Sequence, residues 1–140
     1  MRLLADLGVR SEVLDDAEFL LESAIEFEPD NRFARYEYMN VLYRRQKYAQ
    51  AMDEAKHLLA LEPDNAQYQT GYANQCVAIG DFSEALEVYD QVLARFPETA
   101  QLHLLRGHAL KTVGRTDEAI TAYRTCLLYT SDAADDLGRG

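Results

Sequence analysis

The stretch EPDNRFARYEYMNVLYRRQKYAQAMDEAKHLLALEPDN, residues 28–65, begins and ends with the same four residues. The two EPDN copies start at Glu28 and Glu62, an interval of 34 residues. Within such a unit, apolar residues recur at the three- and four-residue spacing of amphipathic helices. The three prolines of the chain follow the same interval, at Pro29, Pro63 and Pro97. A fixed period of this length predicts a repeat architecture built from one supersecondary unit.

Small residues mark the places where helices should cross or turn. A small side chain at a fixed position allows two helices to approach closely, whereas a larger one would force them apart. Gly80 and Gly114 fall where a first helix must stop, because glycine accepts the left-handed conformation that caps a helix end. Each proline then follows a second helix and cannot continue it. The alanines at the 34-residue interval are Ala17, Ala51, Ala85 and Ala119.

These signals predict an all-α fold, a right-handed α-solenoid of about four helix–turn–helix units that bury their apolar faces by stacking. The first unit looks irregular, because VRSEV at residues 9–13 replaces the expected glycine turn. The helix pairs are predicted at 1–10 and 14–27, 32–45 and 48–61, 66–79 and 82–95, and 100–113 and 116–129. The domains are predicted as an irregular first unit at 1–31, units at 32–65 and 66–99, an incomplete unit at 100–129, and a disordered or artefactual tail at 130–140.

The period of 34 with these residue types resembles the tetratricopeptide repeat. The resemblance implies that the first helix of each unit lines a concave groove that binds a protein or an extended peptide segment. Aromatic and Arg side chains are common interface anchors, and Asn40 and Asn74 could hold a peptide backbone. The alternative is that Tyr36 and Tyr43 only pack against neighbouring units. The groove positions implied by the resemblance are Phe33, Tyr36, Asn40, Tyr43, Arg44, Thr70, Asn74, His108 and Lys111.

One known binding mode of such repeats does not fit this sequence. Repeat proteins that grip the C-terminal carboxylate of a chaperone use Lys, Asn, Asn, Lys and Arg at set groove positions. Asn40 fits that pattern, but the other clamp positions do not. They are occupied by Tyr36, Gly71, Gln101 and Leu105.

Two stretches suggest a larger parent. The residues 15–51 and the segment LHLLRGHALKTVGRTDEAITAYR, 102–124, resemble bacterial proteins that join tetratricopeptide repeats to a C-terminal sulfotransferase domain. That resemblance implies a parent transferring a sulfuryl group from 3′-phosphoadenylyl sulfate, with a C-terminal catalytic domain beside the repeats. The phosphate-cradling loop of such enzymes is not in this sequence, so the chain itself is predicted to lack catalytic activity. The alternative is a free-standing or co-chaperone-like adaptor that binds extended peptides.

The 34-residue period does not continue to the end of the chain. Ser131 stands where the next proline is expected, and CLLYTSDAADD at residues 126–136 resembles the translation of a sequencing adapter. On this hypothesis the natural bacterial protein continues beyond Arg124 or Thr125 and the present chain is a fragment. The alternative is a genuine last helix that conforms poorly to the repeat and ends in an acidic tail.

Composition disfavours nucleic acid and membrane partners. The 140 residues carry a formal net charge of −10, with 9 acidic and 2 basic side chains in residues 1–31 alone. Phosphate backbones require clustered Lys and Arg, so nucleic-acid binding is not expected. No apolar run approaches the roughly 20 residues needed to cross a bilayer, and the start lacks a signal-peptide pattern. Two distant cysteines fit thiols in a reducing compartment, and a cytoplasmic localisation is expected.

The sequence contains no recognisable catalytic, cofactor or metal motif. Cys76 lies on the packing side of a helix and is predicted to be a core thiol. His103 and His108 are five residues apart, which places them on different helix faces and not at the spacing of paired metal ligands. No catalytic, cofactor or metal residue is therefore predicted.

Two further features have simple structural interpretations. The segment GDFSEA, residues 80–85, is predicted to be a turn in which Asp81 or Ser83 caps the next helix. The acidic side chains near the start fit a solvated helix face, and no buried acid–base pair is expected. The acidic residues in question include Asp15, Asp16 and Glu18.

Overall fold

The described chain is helical everywhere outside its turns. A computed structural model describes the backbone of residues 2–139 and the side chains of residues 13–130. Within that backbone there are seven α-helices and no strands, so the predicted all-α solenoid class of helix–turn–helix repeats is confirmed. The helices are α1 Arg2–Phe27, α2 Arg32–Arg44, α3 Tyr48–Leu61, α4 Ala66–Ala78, α5 Phe82–Arg95, α6 Ala100–Thr112 and α7 Thr116–Arg139.

The chain divides into two compact units, residues 1–68 and residues 69–140. In the first unit α2 packs against both α1 and α3, and in the second α6 packs against both α5 and α7. Helices α2 to α7 all begin at the residues predicted from the 34-residue period. Each unit therefore contains a hairpin of two antiparallel neighbours joined by a short turn, α2–α3 in one and α6–α7 in the other.

Asparagine and aspartate side chains start three of these helices. The Oδ1 atom of Asn31 accepts a hydrogen bond from the Ala34 amide at 3.1 Å, and Asn65 accepts one from Tyr68 at 3.1 Å. Asp81 accepts from the Glu84 amide at 3.3 Å, so Asp81, and not Ser83, makes the predicted cap. These bonds satisfy amides that a helix start leaves without an intrahelical partner.

The turns between paired helices use the left-handed backbone conformation. Gly80 has φ of 90° and Gly114 has φ of 88°, as their role in ending a helix predicts. At the corresponding position of the α2–α3 turn stands Gln46, with φ of 62°. A residue with a Cβ atom pays a steric cost in this conformation that glycine does not.

The first predicted helix pair is wrong. Residues 1–10 and 14–27 were predicted as two helices, whereas α1 runs without interruption from Arg2 to Phe27. The residue that would have to adopt the left-handed conformation is Glu12, which has no glycine-like tolerance for it. The chain therefore keeps right-handed helical geometry through this position.

The end of α7 also differs from the predicted end at residue 129. Helices α1, α3 and α5 each end two residues before a proline, but position 131 is a serine and α7 continues to Arg139. Without a proline, no missing amide or ring clash stops the helix there. The side chains of residues 131–140 lie outside the described part, and the assignment of residues 130–140 as a tail stays a prediction.

Small residues occupy the helix crossings. Ala51 and Ala85 are completely buried and Ala119 is 2% exposed, whereas Ala17 on α1 is only half-buried. Gly107 on α6 lies directly against α7, because an added Cβ atom would be 2.7 Å from Cε1 of Tyr123. The close approach of α6 and α7 therefore depends on the absence of a side chain at residue 107.

Candidate peptide-binding site

The most exposed part of the predicted groove lies on α2. Phe33 is 76% exposed and Tyr43 is 43% exposed, and Arg44 is exposed at the end of the helix. Tyr36 and Asn40 are half-buried. The five residues follow helical spacings of three and four, so they form one continuous surface. We call this surface the α2 face, and its residues are Phe33, Tyr36, Asn40, Tyr43 and Arg44.

The opposite side of α2 fixes the helix in its unit. The Tyr38 hydroxyl donates to Oε1 of Glu22 on α1 at 3.2 Å, and Arg35 Nη1 donates to Oε1 of Glu54 on α3 at 2.7 Å. Burial, reinforced by the neighbouring Glu22 carboxylate, raises the pKa of Tyr38 to about 12. These two polar contacts use the side of α2 that faces away from the α2 face.

Both tyrosines of the α2 face also have aromatic neighbours inside their own unit. The Tyr36 ring lies 5.7 Å from that of Tyr68 in a tilted arrangement. Tyr43 meets Tyr48 edge-on at 5.6 Å, across the α2–α3 turn. Such pairs fix the ring orientations. Packing therefore accounts for part of the role of Tyr36 and Tyr43, while Phe33 and Arg44 extend from the surface with little cover.

On α4, Asn74 is held by a neighbouring helix. Its Oδ1 atom accepts a hydrogen bond of 2.6 Å from the hydroxyl of Tyr89 on α5. The carboxamide oxygen of Asn74 thus already accepts one hydrogen bond within the fold. Thr70, one helical turn earlier, is half-buried.

On α6, His108 has an equivalent partner. Its Nδ1 atom shares a hydrogen bond of 2.9 Å with the hydroxyl of Tyr123 on α7, and the rings meet edge-on at 5.5 Å. Both His108 and Lys111 are exposed.

Tyr89 and Tyr123 support predicted groove residues, and the sequence reasoning missed that role. Asn74 and His108 are 34 residues apart, as are Tyr89 and Tyr123, so the same contact recurs in two successive repeats. The interval could have revealed it. One repeat earlier the pair is Asn40 and Ala55, and alanine has no hydroxyl to offer Asn40.

The assignment of Glu18 to a solvated face is wrong. Glu18 is 8% exposed, and its carboxylate contacts Lys47 Nζ at 2.7 Å and Arg45 Nη1 at 3.2 Å. Arg45 also pairs with Asp15, which stays largely exposed. A buried carboxylate requires compensating charge, and the turn after α2 supplies two cations. This cluster ties α1 to the α2–α3 turn and is a structural ion pair.

Structural contacts surround the side chains of Cys76, His57 and His103. Cys76 is 1% exposed in the core, as predicted. His57 lies 3.3 Å from Asp30, and His103 Nε2 lies 2.8 Å from the Pro97 carbonyl oxygen while its ring stacks on Tyr129. Among the side chains of residues 13–130, no group of three His, Cys, Asp or Glu residues could hold a metal ion.

Two sequence profiles of the tetratricopeptide repeat match this chain, one over residues 11–74 and one over residues 77–136. Together they span residues 11–136 except for positions 75 and 76. The chain belongs to the tetratricopeptide repeat family. The family resemblance inferred from the 34-residue period is thereby confirmed, and the repeats support a role as a protein-interaction scaffold. The resemblances to sulfotransferase-linked proteins and to a sequencing adapter stay predictions.

Solved structures of MamA proteins share the fold. MamA from Desulfovibrio magneticus RS-1 superposes with a TM-score of 0.78 at 16% identity, over 92% of this chain and 71% of that one. A MamA crystal structure gives 0.76 at 18% identity, over 91% and 74% of the two chains. MamA MSR-1 gives 0.75 at 20% identity, over 89% and 72%. No curated protein matches the sequence. At these identities the likeness is one of fold.

None of the helices in the described part of the chain combines the length and the apolar character needed to cross a membrane.

Proposed function

We propose that this chain is a tetratricopeptide scaffold that binds a protein or peptide segment through the first helices of its hairpins. In the first unit the contact surface is the α2 face. In the second unit the contact residues, on α4 and α6, are Thr70, Asn74, His108 and Lys111. The observation that carries the proposal is the exposure of Phe33, Tyr43 and Arg44 on one side of α2. Aromatic and Arg side chains dominate the energetics of protein interfaces.

The chemistry of these residues indicates the class of ligand. Phe33 and Tyr43 offer apolar surface, and Asn40, without a tyrosine hydroxyl at position 55, has its carboxamide available for a peptide backbone. Arg44 and Lys111 are exposed cations on their helices. The favoured ligand is therefore a segment with an apolar anchor and an acidic side chain or terminal carboxylate.

The test begins with selection of random 12-residue peptides, displayed on phage, against the wild-type chain. Selected peptides are then synthesised and titrated against wild type and a Phe33→Ala/Arg44→Ala variant. The variant should bind them about tenfold or more weakly, because each truncated anchor costs at least about 1 kcal/mol. Circular dichroism should be unchanged, since both side chains are exposed.

A matched control removes the same residue types elsewhere. Phe96→Ala/Arg95→Ala deletes an exposed aromatic–arginine pair, 5.1 Å apart, at the end of α5. This control should bind the selected peptides as wild type does. Equal affinity for wild type and the α2-face variant, or an equal loss in the control, would exclude the α2 face as the binding site.

We further propose that the repeats were part of a longer bacterial protein with a sulfotransferase domain after them. The proposal is supported by the amino-acid sequences of residues 15–51 and 102–124, which resemble such proteins, and by the adapter-like segment at 126–136. Sequencing the source genome across codon 125 tests it. The expected frame departs from the present sequence near Thr125 and leads to a phosphate-binding strand–loop–helix. A native frame that stops soon after one more repeat would instead support a free-standing adaptor.

A further inference from the structure

Helix α1 carries an apolar stripe that its own unit does not cover. Val13 is 54% exposed, Leu20 is 65% exposed and Phe27 is 87% exposed, and the three are separated by seven residues each. Two half-buried alanines lie between them, giving spacings of four, three, four and three. We call this surface the α1 stripe, and its residues are Val13, Ala17, Leu20, Ala24 and Phe27.

The other side of α1 is the one attached to the unit. Glu18 pairs with Lys47 and Arg45, and Glu22 accepts the Tyr38 hydroxyl. At 100° per residue, both glutamates lie roughly 160° around the helix from Leu20. Helix α1 is thus anchored by one side and presents the stripe on the side away from α2.

The spacing of the stripe suits a partner helix. Apolar residues spaced alternately three and four positions apart form a seam on a helix. A second helix inserts its own side chains into that seam. A contiguous exposed patch of this kind is typical of an interaction site in a soluble protein. The small residues Ala17 and Ala24 alternate with larger ones, which leaves recesses for knobs of a facing helix.

The charge around the stripe selects the partner. Residues 11–31 contain eight acidic side chains and no basic one. Asp16 and Glu28 border the stripe, and both are exposed. A second copy would bring the same negative charge to both sides of the seam, which is repulsive. Lys or Arg at the flanking positions of a partner helix would instead pair with these carboxylates.

We propose that the α1 stripe docks a basic amphipathic helix of a partner protein, with an apolar seam and Lys or Arg at its flanks. This surface is separate from the α2 face, which takes the peptide of the proposed function. The two sites therefore have independent tests.

The probe is a synthetic helical peptide of three heptads with Leu at the seam and Lys at the flanking positions. Its controls are a scrambled peptide of the same composition and a heptad peptide with Glu at the flanks. Wild type should bind the Lys heptad peptide in fluorescence anisotropy and bind both controls about tenfold or more weakly. Equal binding of the scrambled peptide would show that the interaction is non-specific electrostatic attraction, and would overturn the proposal.

Variants locate the binding. Leu20→Ser/Phe27→Ser should lower the affinity for the Lys heptad peptide about tenfold or more. Phe33→Ser, which removes a similarly exposed aromatic from the α2 face, should leave that affinity unchanged. Asp16→Lys/Glu28→Lys should lower affinity for the Lys peptide and raise it for the Glu peptide. Unchanged affinities in the stripe variant would overturn the proposal. A wild-type dimer in sedimentation, lost in the stripe variant, would assign the stripe to a second copy and overturn it too.

Discussion

Gln46 occupies a backbone conformation that suits glycine. Its φ of 62° matches the left-handed geometry of Gly80 and Gly114 at the corresponding turns. The backbone amide of the next residue, Lys47, still donates to the Leu42 carbonyl at 2.8 Å, so the turn closes as it does at the glycines. The α2–α3 packing must therefore compensate for the steric cost at Gln46.

Replacing Gln46 by glycine should stabilise the protein. The left-handed conformation costs a residue with Cβ about 1–2 kcal/mol, and the added entropy of unfolded glycine offsets about 0.5–1 of that. We predict a net gain of about 0.5–1 kcal/mol in the free energy of unfolding, measured by urea denaturation. Gln50→Gly, at an exposed position within α3, should lower it by a similar amount. A loss of stability in Gln46→Gly would contradict this account of the turn.

Tyr38 makes stability depend on pH in the alkaline range. Burial, with Glu22 close by, raises its pKa from 10.0 to about 12 in the folded state. The folded protein therefore holds this proton more tightly than the unfolded chain, so the contribution is complete below pH 10 and is lost as pH rises toward 12. The free energy of unfolding should fall across this interval, and less steeply in Tyr38→Phe. Identical slopes for the two proteins would show that Tyr38 does not titrate in this way.

Some residue environments could not be read from the sequence. The many carboxylates near the start of the chain, Glu18 among them, predict a solvated helix face. For Glu18, the compensating cations Arg45 and Lys47 are 27 and 29 residues away and become neighbours only when α1 packs beside the α2–α3 turn. A buried charge of this kind depends on tertiary contacts, which local patterns do not encode.

At the scale of helices, the contact between α6 and α7 depends on Gly107 and Tyr123. The Tyr123 ring fills the space over Gly107, and its hydroxyl is held by His108. The ring cannot easily turn away without losing that hydrogen bond. The hydrogen bond from Tyr89 to Asn74 is the equivalent contact between α5 and α4, and Ala73 stands at the position of Gly107 one repeat earlier.

Gly107→Ala should destabilise the protein in spite of the better helix propensity of alanine. Overpacking against Tyr123 costs about 1–3 kcal/mol, and the propensity gain offsets about 0.5–1 of this. In a Tyr123→Ala background the clash is gone, so the same substitution should become stabilising. The change in the free energy of unfolding caused by Gly107→Ala, measured by chemical denaturation in each background, gives the sign of the effect directly. A substitution with the same effect in both backgrounds would show that Tyr123 does not limit the approach of α6 and α7.

The helix boundaries show which signals in the sequence are sufficient. Prolines two residues beyond the ends of α1, α3 and α5, and Asn or Asp caps at the starts of α2, α4 and α5, act locally and were readable. The uninterrupted course of α1 could not be read from the sequence. Neither Glu12 nor Gln46 is a glycine, yet the chain turns at Gln46 and stays helical through Glu12. That choice depends on whether a helix folded back there buries enough apolar surface, which is a tertiary property.

At the scale of the whole molecule, the 34-residue period determines the fold class. The second and third repeats each bring a buried alanine to a helix crossing and a proline after the second helix, so local and global preferences agree there. The binding site is less determined, because the period predicts which side of a helix is open but not what covers it. The residues of the α2 face are implied by the family resemblance, whereas the exposed α1 stripe appears only once the packed side of α1 is known.

The central claim is that paired helices recur every 34 residues with left-handed turns at fixed positions. Backbone chemical shifts measured by NMR test it most directly. We predict helical shifts within each helix from α2 to α6. Interruptions should fall at the left-handed turns of Gln46, Gly80 and Gly114 and at residues 62–65 and 96–99, with none at Glu12. Strand-like shifts within these helices, or helical shifts running unbroken through Gly80 and Gly114, would contradict the account.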